Sequence, residues 1–152
     1  MALSLTSPAF DNGARIPEKY GYTEANENPP LTIDGVPDGT ASLVLIMDDP
    51  DALKPAGKVW DHWVVWNIDP ETREIPEGWD PSAAGAMVGQ TDYGDRAYGG
   101  PNPPDREHTY RFELYALDTD LDLPGGTGAD GLRQAAEGAV LAETTLTGTY
   151  AP

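Results

Sequence analysis

The residues best able to do chemistry in this chain fall in three short stretches. The first is Asp48-Asp49-Pro50-Asp51, directly after the apolar run Leu43-Val44-Leu45-Ile46-Met47. Three carboxylates at the mouth of a buried strand repel one another if all are buried. At least one must therefore face solvent, accept several N–H bonds or meet a cation. The second is His62, which shares an alternating segment with Trp60, Val64 and Trp66. The third is Tyr98-Gly99-Gly100-Pro101-Asn102-Pro103-Pro104, a loop that feeds His108-Thr109-Tyr110. Its glycines allow close backbone approach to a ligand, and its prolines hold one shape.

Each stretch has a plain reading of its own: a solvated turn, a satisfied core histidine, a rigid loop over a packed His–Tyr pair. Their coincidence points further, because the chain has 2 histidines and both fall on the inward face of a β-type segment. Converging imidazoles, a carboxylate, a Tyr hydroxyl and Gly backbone N–H groups would make a small polar pocket in an apolar wall. Such a pocket suits an anion with several acceptor oxygens, such as a phosphate ester. Imidazole, with a reference pKa of about 6.5, can donate from either nitrogen and gain charge as an anion arrives.

The elements that must position these groups read mainly as strands. The continuous apolar run 43–47 has strand length and reads as a central strand covered on both faces. Segment 60–68 alternates, with Trp60, His62, Val64, Trp66 and Ile68 expected on one face, and bulky groups on the other make it interior too. Segment 108–116 alternates most cleanly, with His108, Tyr110, Phe112, Leu114 and Ala116 on one side. One helix is expected over 130–143, from Leu132, Ala135, Ala136, Ala139 and Val140 at three- and four-residue steps, capped by Thr127 or Asp130. A last strand should come next, over 144–150. The 17 Gly and 15 Pro punctuate the whole sequence, and no repeat or linker divides it. The expectation is one domain over 1–152, mainly β, an antiparallel β-sandwich-like fold with a helix in the C-terminal region.

Composition narrows the partners. The 152 residues carry 26 acids against 9 bases, a formal net charge of −17. A nucleic-acid ligand needs a Lys/Arg footprint, and an anionic bilayer repels such a surface, so neither is expected. A small domain ordinarily carries a net charge of magnitude about 2–8. Acid excess with three lysines (Lys19, Lys54 and Lys58) suits a halophile, where the Debye length falls to about 3 Å at 1 M salt. With 0 cysteines, disulfides, thiolate metal sites and a Cys nucleophile are excluded. No apolar run approaches the roughly 18 residues of a membrane span, and residues 1–5 lack the form of a signal peptide. The expected location is cytoplasmic, with no cofactor.

At these residues the sequence resembles the phosphatidylethanolamine-binding proteins, in their prokaryotic Raf-kinase-inhibitor-like branch. The matching motifs are Asp49-Pro50-Asp51-Ala52, Asp61-His62-Trp63-Val64, and Gly100-Pro101-Asn102-Pro103-Pro104 followed by His108-Thr109-Tyr110 and Leu114-Tyr115-Ala116-Leu117-Asp118. Shorter matches, among them Ile16-Pro17, Gly35-Val36-Pro37-Asp38-Gly39-Thr40 and Asp92-Tyr93-Gly94, extend it over nearly the whole chain. The resemblance implies a β-sandwich-like fold that binds small phosphate-like anions or phosphorylated ligands in one pocket. By motif position it implies Asp49, His62, Gly100, Pro101, His108 and Tyr110 as that pocket. Asp49 would orient one imidazole, His62 and His108 would donate to the anion, and the Gly100 amide and Tyr110 hydroxyl would complete the cage. The chain departs from the family at Leu53, where Pro is common. It also lacks a Cys-Asp-Gly stretch around 23–28 and a His near Gly138.

The leading expectation is a non-enzymatic binding protein, with a kinase or another enzyme as a protein partner it regulates and a homodimer as a possible assembly. The alternative is a hydrolase that activates water with the His/Asp pocket. None of Ser4, Ser7, Ser42 and Ser82 lies in a Gly-x-Ser-x-Gly elbow or beside a pocket motif, which disfavours it. A two-His-one-carboxylate metal site from His62, His108 and Asp49 has suitable residue types but lacks close ligand spacing; no metal is expected.

Overall fold

The computed structural model describes residues 2–152. In chain order its elements are β1 (Ser4–Thr6), β2 (Leu31–Asp34), β3 (Ser42–Asp49), α1 (Leu53–Ala56), β4 (Trp60–Ile68), β5 (Glu74–Ile75), β6 (Met87–Val88), β7 (His108–Leu117), α2 (Ala129–Ala136) and β8 (Val140–Tyr150). The strands form two antiparallel sheets, one ordered β1-β2-β5 and the other β6-β4-β3-β7-β8.

The larger sheet is covered on both faces, which explains why all of β3 is buried. On one face Leu43, Leu45 and Met47 join Trp63, Val65, Tyr110, Phe112 and Leu114 against Leu5, Leu31, Ile33 and Ile75 of the smaller sheet. On the other, Val44, Ile46, Val64 and Trp66 pack under Ala129, Leu132 and Ala136 of α2. Burying apolar side chains on both faces contributes about 25 cal/mol per Å². It fixes register, because a one-residue slip would exchange the two cores. The clean alternation of β7 is retained: its even-numbered residues face the sandwich interior.

The alternation expected for β4 is not retained at its ends. Met47 pairs with Trp63 but Asp48 pairs with Asp61, so His62 is the extra residue of a β-bulge. The bulge turns His62 away from the Val64 and Trp66 face and toward Tyr110, whose ring lies 5.2 Å away. A second shift lies between the Leu43 and Leu45 pairings, where Asn67 adopts φ 54°. That residue is tied by its side chain to both the carbonyl and the amide of Leu121. Bulges belong to pairing and leave no mark in residue alternation.

The helix is also shorter than expected. α2 stops at Ala136, because Gly138 takes the left-handed φ of +85° after it. Residues 140–143, read from the sequence as its last turn, instead pair with β7 through Leu117, Ala116 and Tyr115. Neither Thr127 nor Asp130 caps it. Gly128 holds the N-cap position with no side-chain bond, and the Thr127 hydroxyl donates to the carbonyl of Pro124.

Candidate functional site

The end of β3 splits its two carboxylates between the faces of the sheet. Asp48 points toward α2 and is fully buried, where Arg111 of β7 meets it with two bonds of 2.8 Å. Arg133 of α2 adds a third at 3.0 Å and also grips Glu113. This bidentate, charge-assisted pairing is what makes a buried carboxylate tolerable. It also locks the strand end so that Asp49 points the opposite way. Pro50 then opens a short helical turn, Pro50–Ala52, whose first free amide, that of Asp51, donates to Asp49 Oδ1 at 3.0 Å. Asp51 in turn accepts from the Thr109 amide at 2.8 Å and draws the start of β7 against this turn.

His108 opens β7 and is 1 % exposed. Its Nδ1 donates to Asp49 Oδ2 at 2.6 Å and its Nε2 to Asp105 Oδ1 at 2.7 Å. A carboxylate can only accept, so both ring nitrogens carry hydrogen and the ring is an imidazolium. Burial opposes that charge, but the two carboxylates more than offset it and hold the His108 pKa above the ordinary value. Burial likewise lifts Asp49 above the usual carboxylate range, against the pull of His108.

His62 is the opposite case. Its Nδ1 lies 2.7 Å from the Gly99 carbonyl, and its own carbonyl accepts from the Gly99 amide at 2.8 Å. Since the carbonyl only accepts, Nδ1 carries the hydrogen and Nε2 carries a lone pair. Burial pushes the His62 pKa down to about 4, although the Gly99 and Gly100 carbonyls resist, so the ring is neutral at pH 7. The two histidines therefore differ in role: one is a cationic donor, the other a neutral acceptor. The expectation that both donate to an anion does not hold for this geometry.

Tyr110 is wholly buried and its hydroxyl has no hydrogen-bond partner in the protein. Burial, then the nearby Asp49 charge, keeps that hydroxyl protonated far above the usual range. Asp49, His62, His108 and Tyr110 together line a cavity of about 210 Å³. At about 30 Å³ per liquid water this holds roughly seven waters, below the 300 Å³ or so where drug-sized pockets begin. Its walls are apolar and aromatic, built by Ala52, Pro55, Trp60, Tyr93 and Pro104. No lysine or arginine lines it. The imidazolium of His108 is thus its one lining cation among the described residues.

Gly100 and Pro101 lie behind this lining. The Gly100 amide donates to Asn26 Oδ1 at 2.7 Å, and the Pro101 carbonyl accepts from the Tyr22 amide at 2.9 Å. A Cβ on Gly100 would clash with the Tyr20 carbonyl oxygen, so glycine is required there for backbone contact. These two residues dock the loop and do not present an amide to the cavity. Arg96 donates to the Val88 carbonyl and packs beside Gly125, away from the lining. No set of three His, Asp or Glu side chains among the described residues is arranged to hold a metal ion.

Sequence reasoning passed over Tyr93, Asn102 and Asp105. Tyr93 stacks on Tyr22 with centroids 4.0 Å apart and donates to the Gly100 carbonyl. It stands in a motif already matched, Asp92-Tyr93-Gly94, which was the available signal. Asp105, three residues before His108, had no such signal.

The fold and sequence are shared with known proteins. Residues 6–151 match the family described as phosphatidylethanolamine-binding protein. The chain is 44 % identical over 152 residues to a UPF0098 protein of Methanothermobacter thermautotrophicus, covering 97 % of this chain and 98 % of that one. A solved homologue of phosphatidylethanolamine-binding protein from Chlamydia trachomatis superposes with a TM-score of 0.91 at 38 % identity, over 98 % of this chain and 97 % of that one. YbcL of E. coli, described as a new member of the mammalian family, gives 0.89 at 28 % identity, over 99 % and 98 %. A family match over residues 6–151, together with relatives of this identity and coverage, shows that the chain belongs to the phosphatidylethanolamine-binding protein family.

Proposed function

We propose that this protein is a non-enzymatic binding module for a small phosphate-like anion or a phosphorylated ligand, seated on Asp49, His62, His108 and Tyr110. The observation that carries this reading is the buried Tyr110 hydroxyl without a partner, beside an imidazolium held by a carboxylate. An orphan hydroxyl costs about 1–3 kcal/mol, and an oxyanion would satisfy it. The family name of its relatives, which speaks of a phosphorylated head group, agrees with that choice. No serine or threonine lines the cavity to act as nucleophile. Burial makes the free nitrogen of His62 a weak base, with a pKa near 4, which favours the binding reading over the hydrolase alternative.

A bound anion competes with Asp105 for Nε2 of His108, since that nitrogen already donates to this carboxylate. The net charge of −17 we read as an adaptation to concentrated salt. Calorimetric titration with inorganic phosphate and with phosphoethanolamine tests the binding reading. Saturable binding at one site, abolished in His108→Ala, is expected; no heat from either ligand at millimolar concentration overturns it.

A further inference from the structure

A second cavity, of about 200 Å³, shares no lining residue with the one around His108. Trp63 of β4 forms one wall, and the loops after β5 and β6 bring Trp79 and Tyr98 to it. Trp79 stands at 83° to Trp63 with ring centroids 6.3 Å apart, and Tyr98 at 89° with centroids 5.5 Å apart. The rings are held in place. Trp63 is buried, the Trp79 amide donates to Asn28 Oδ1 at 2.7 Å, and the Tyr98 hydroxyl donates to the Tyr20 carbonyl at 3.0 Å. Aromatic rings set at right angles around one space bring π-electron density to a cation from more than one side. Asp80 adds a carboxylate to the lining; its Oδ1 accepts from the Ser82 amide at 3.1 Å, which leaves Oδ2 open.

Arg96 brings the opposite charge to the same cavity. Its Nε donates to the Val88 carbonyl at 3.2 Å, and its guanidinium lies against Gly125, where a Cβ would collide with it. Carboxylates pair with Lys19, Lys58, Arg106, Arg111 and Arg133, but none among the described residues pairs with Arg96. Its two terminal nitrogens are unpaired donors beside aromatic walls. A bare cation in this cavity meets repulsion from Arg96, and a bare anion meets Asp80 and the π-systems. A ligand that carries both charges satisfies all of them. Its cationic end is best fully methylated: a primary ammonium gives up water for which the lining has few acceptors, whereas a trimethylated nitrogen has no N–H to satisfy and packs its methyls on the rings.

We propose that this cavity is a second binding site, for a small zwitterion with a quaternary ammonium at one end and a carboxylate at the other, a betaine. Trp63, Trp79 and Tyr98 receive the ammonium, with the charge of Asp80 added, and Arg96 takes the carboxylate. Such a ligand has no net charge, so the −17 of the chain neither attracts nor repels it at long range. A cavity of this size, below that of drug-sized pockets, suits a compact molecule.

The test titrates the full chain with glycine betaine, read by calorimetry and by tryptophan fluorescence. Saturable binding at one site in the millimolar range is expected. Tetramethylammonium and acetate, each offering one end, should bind at least about tenfold more weakly. Trp79→Leu keeps apolar bulk and removes the ring, so betaine affinity should fall about tenfold. Arg96→Gln separates the two charges: betaine should weaken by a similar factor, while tetramethylammonium, freed of a like charge, binds more tightly. No betaine binding up to about 100 mM overturns the proposal. So does betaine binding that neither variant weakens. Urea midpoints check that both variants fold; Arg96 is exposed, so Arg96→Gln still decides should Trp79→Leu not fold. Phosphate binding at the His108 cavity is a separate result, and its failure would leave this site standing.

Discussion

Tyr110 carries its hydroxyl into the interior with no partner, and a side chain kept for packing alone would do better as phenylalanine. Removing an unsatisfied buried hydroxyl while keeping the ring is neutral or stabilising. Tyr110→Phe should therefore match or exceed the parent in urea denaturation, by up to about 1 kcal/mol, while its affinity for phosphate falls about tenfold. A variant that is destabilised and binds normally would assign the hydroxyl to the fold and remove it from the site. His62 and His108 make the same point about environment. They are 46 residues apart in sequence and share one cavity. Yet a carbonyl beside one and two carboxylates beside the other give them opposite hydrogen-bond polarity. Residue type in the sequence marked both histidines as candidate site residues, and the fold brings them to one cavity. Their roles were not legible, because those depend on Gly99 and Asp105, whose contacts are set by the folded loop.

At the scale of elements, the loop from Gly99 to His108 does most of the positioning. Its first half is anchored by a segment distant in sequence, with Asn26 on the Gly100 amide and Tyr22 on the Pro101 carbonyl. Its second half brings Asp105, partly exposed, onto His108. That carboxylate occupies the nitrogen an incoming anion needs and also helps raise the His108 pKa. Asp105→Ala should thus lower the His108 pKa toward the ordinary value, with Asp49 still holding it from the other side. Phosphate binding at pH 6, where the ring stays protonated, should strengthen by roughly threefold to tenfold. Ring titration by NMR and a binding isotherm check the two parts. An unchanged His108 pKa would show that the Asp105 contact carries no weight in solution. β3 and β7 were plain in the sequence, since burial on both faces or on alternate residues writes itself into side-chain type. The bulge at His62 was not, because one unpaired residue shifts a strand without altering its composition. The end of α2 was misplaced for a related reason. Leu132, Ala136 and Val140 keep helical spacing, yet Gly138 breaks the helix and β7 pairs with the residues beyond it.

For the whole molecule the governing quantity is charge. Acids crowd even where the chain holds few bases: Asp61 is pushed up to about 6 by burial and by the neighbouring Asp92. Such repulsion is screened as the Debye length shortens from about 10 Å at 0.1 M to about 3 Å at 1 M salt. The urea midpoint should accordingly rise between 0.1 and 2 M KCl, and a midpoint that is flat or falls would reject the high-salt reading. No helix is long and apolar enough to cross a membrane. Under the proposed function the cavity would rely on short-range donors, since this long-range field is unfavourable to anions at low salt.

The most direct test of the proposed site is the state of the two imidazole rings, read from their nitrogen resonances at pH 7 before and after addition of phosphate. His108 should be protonated on both nitrogens and His62 on Nδ1 alone. Both rings should shift on saturation. Rings that stay unmoved at millimolar phosphate would contradict this assignment.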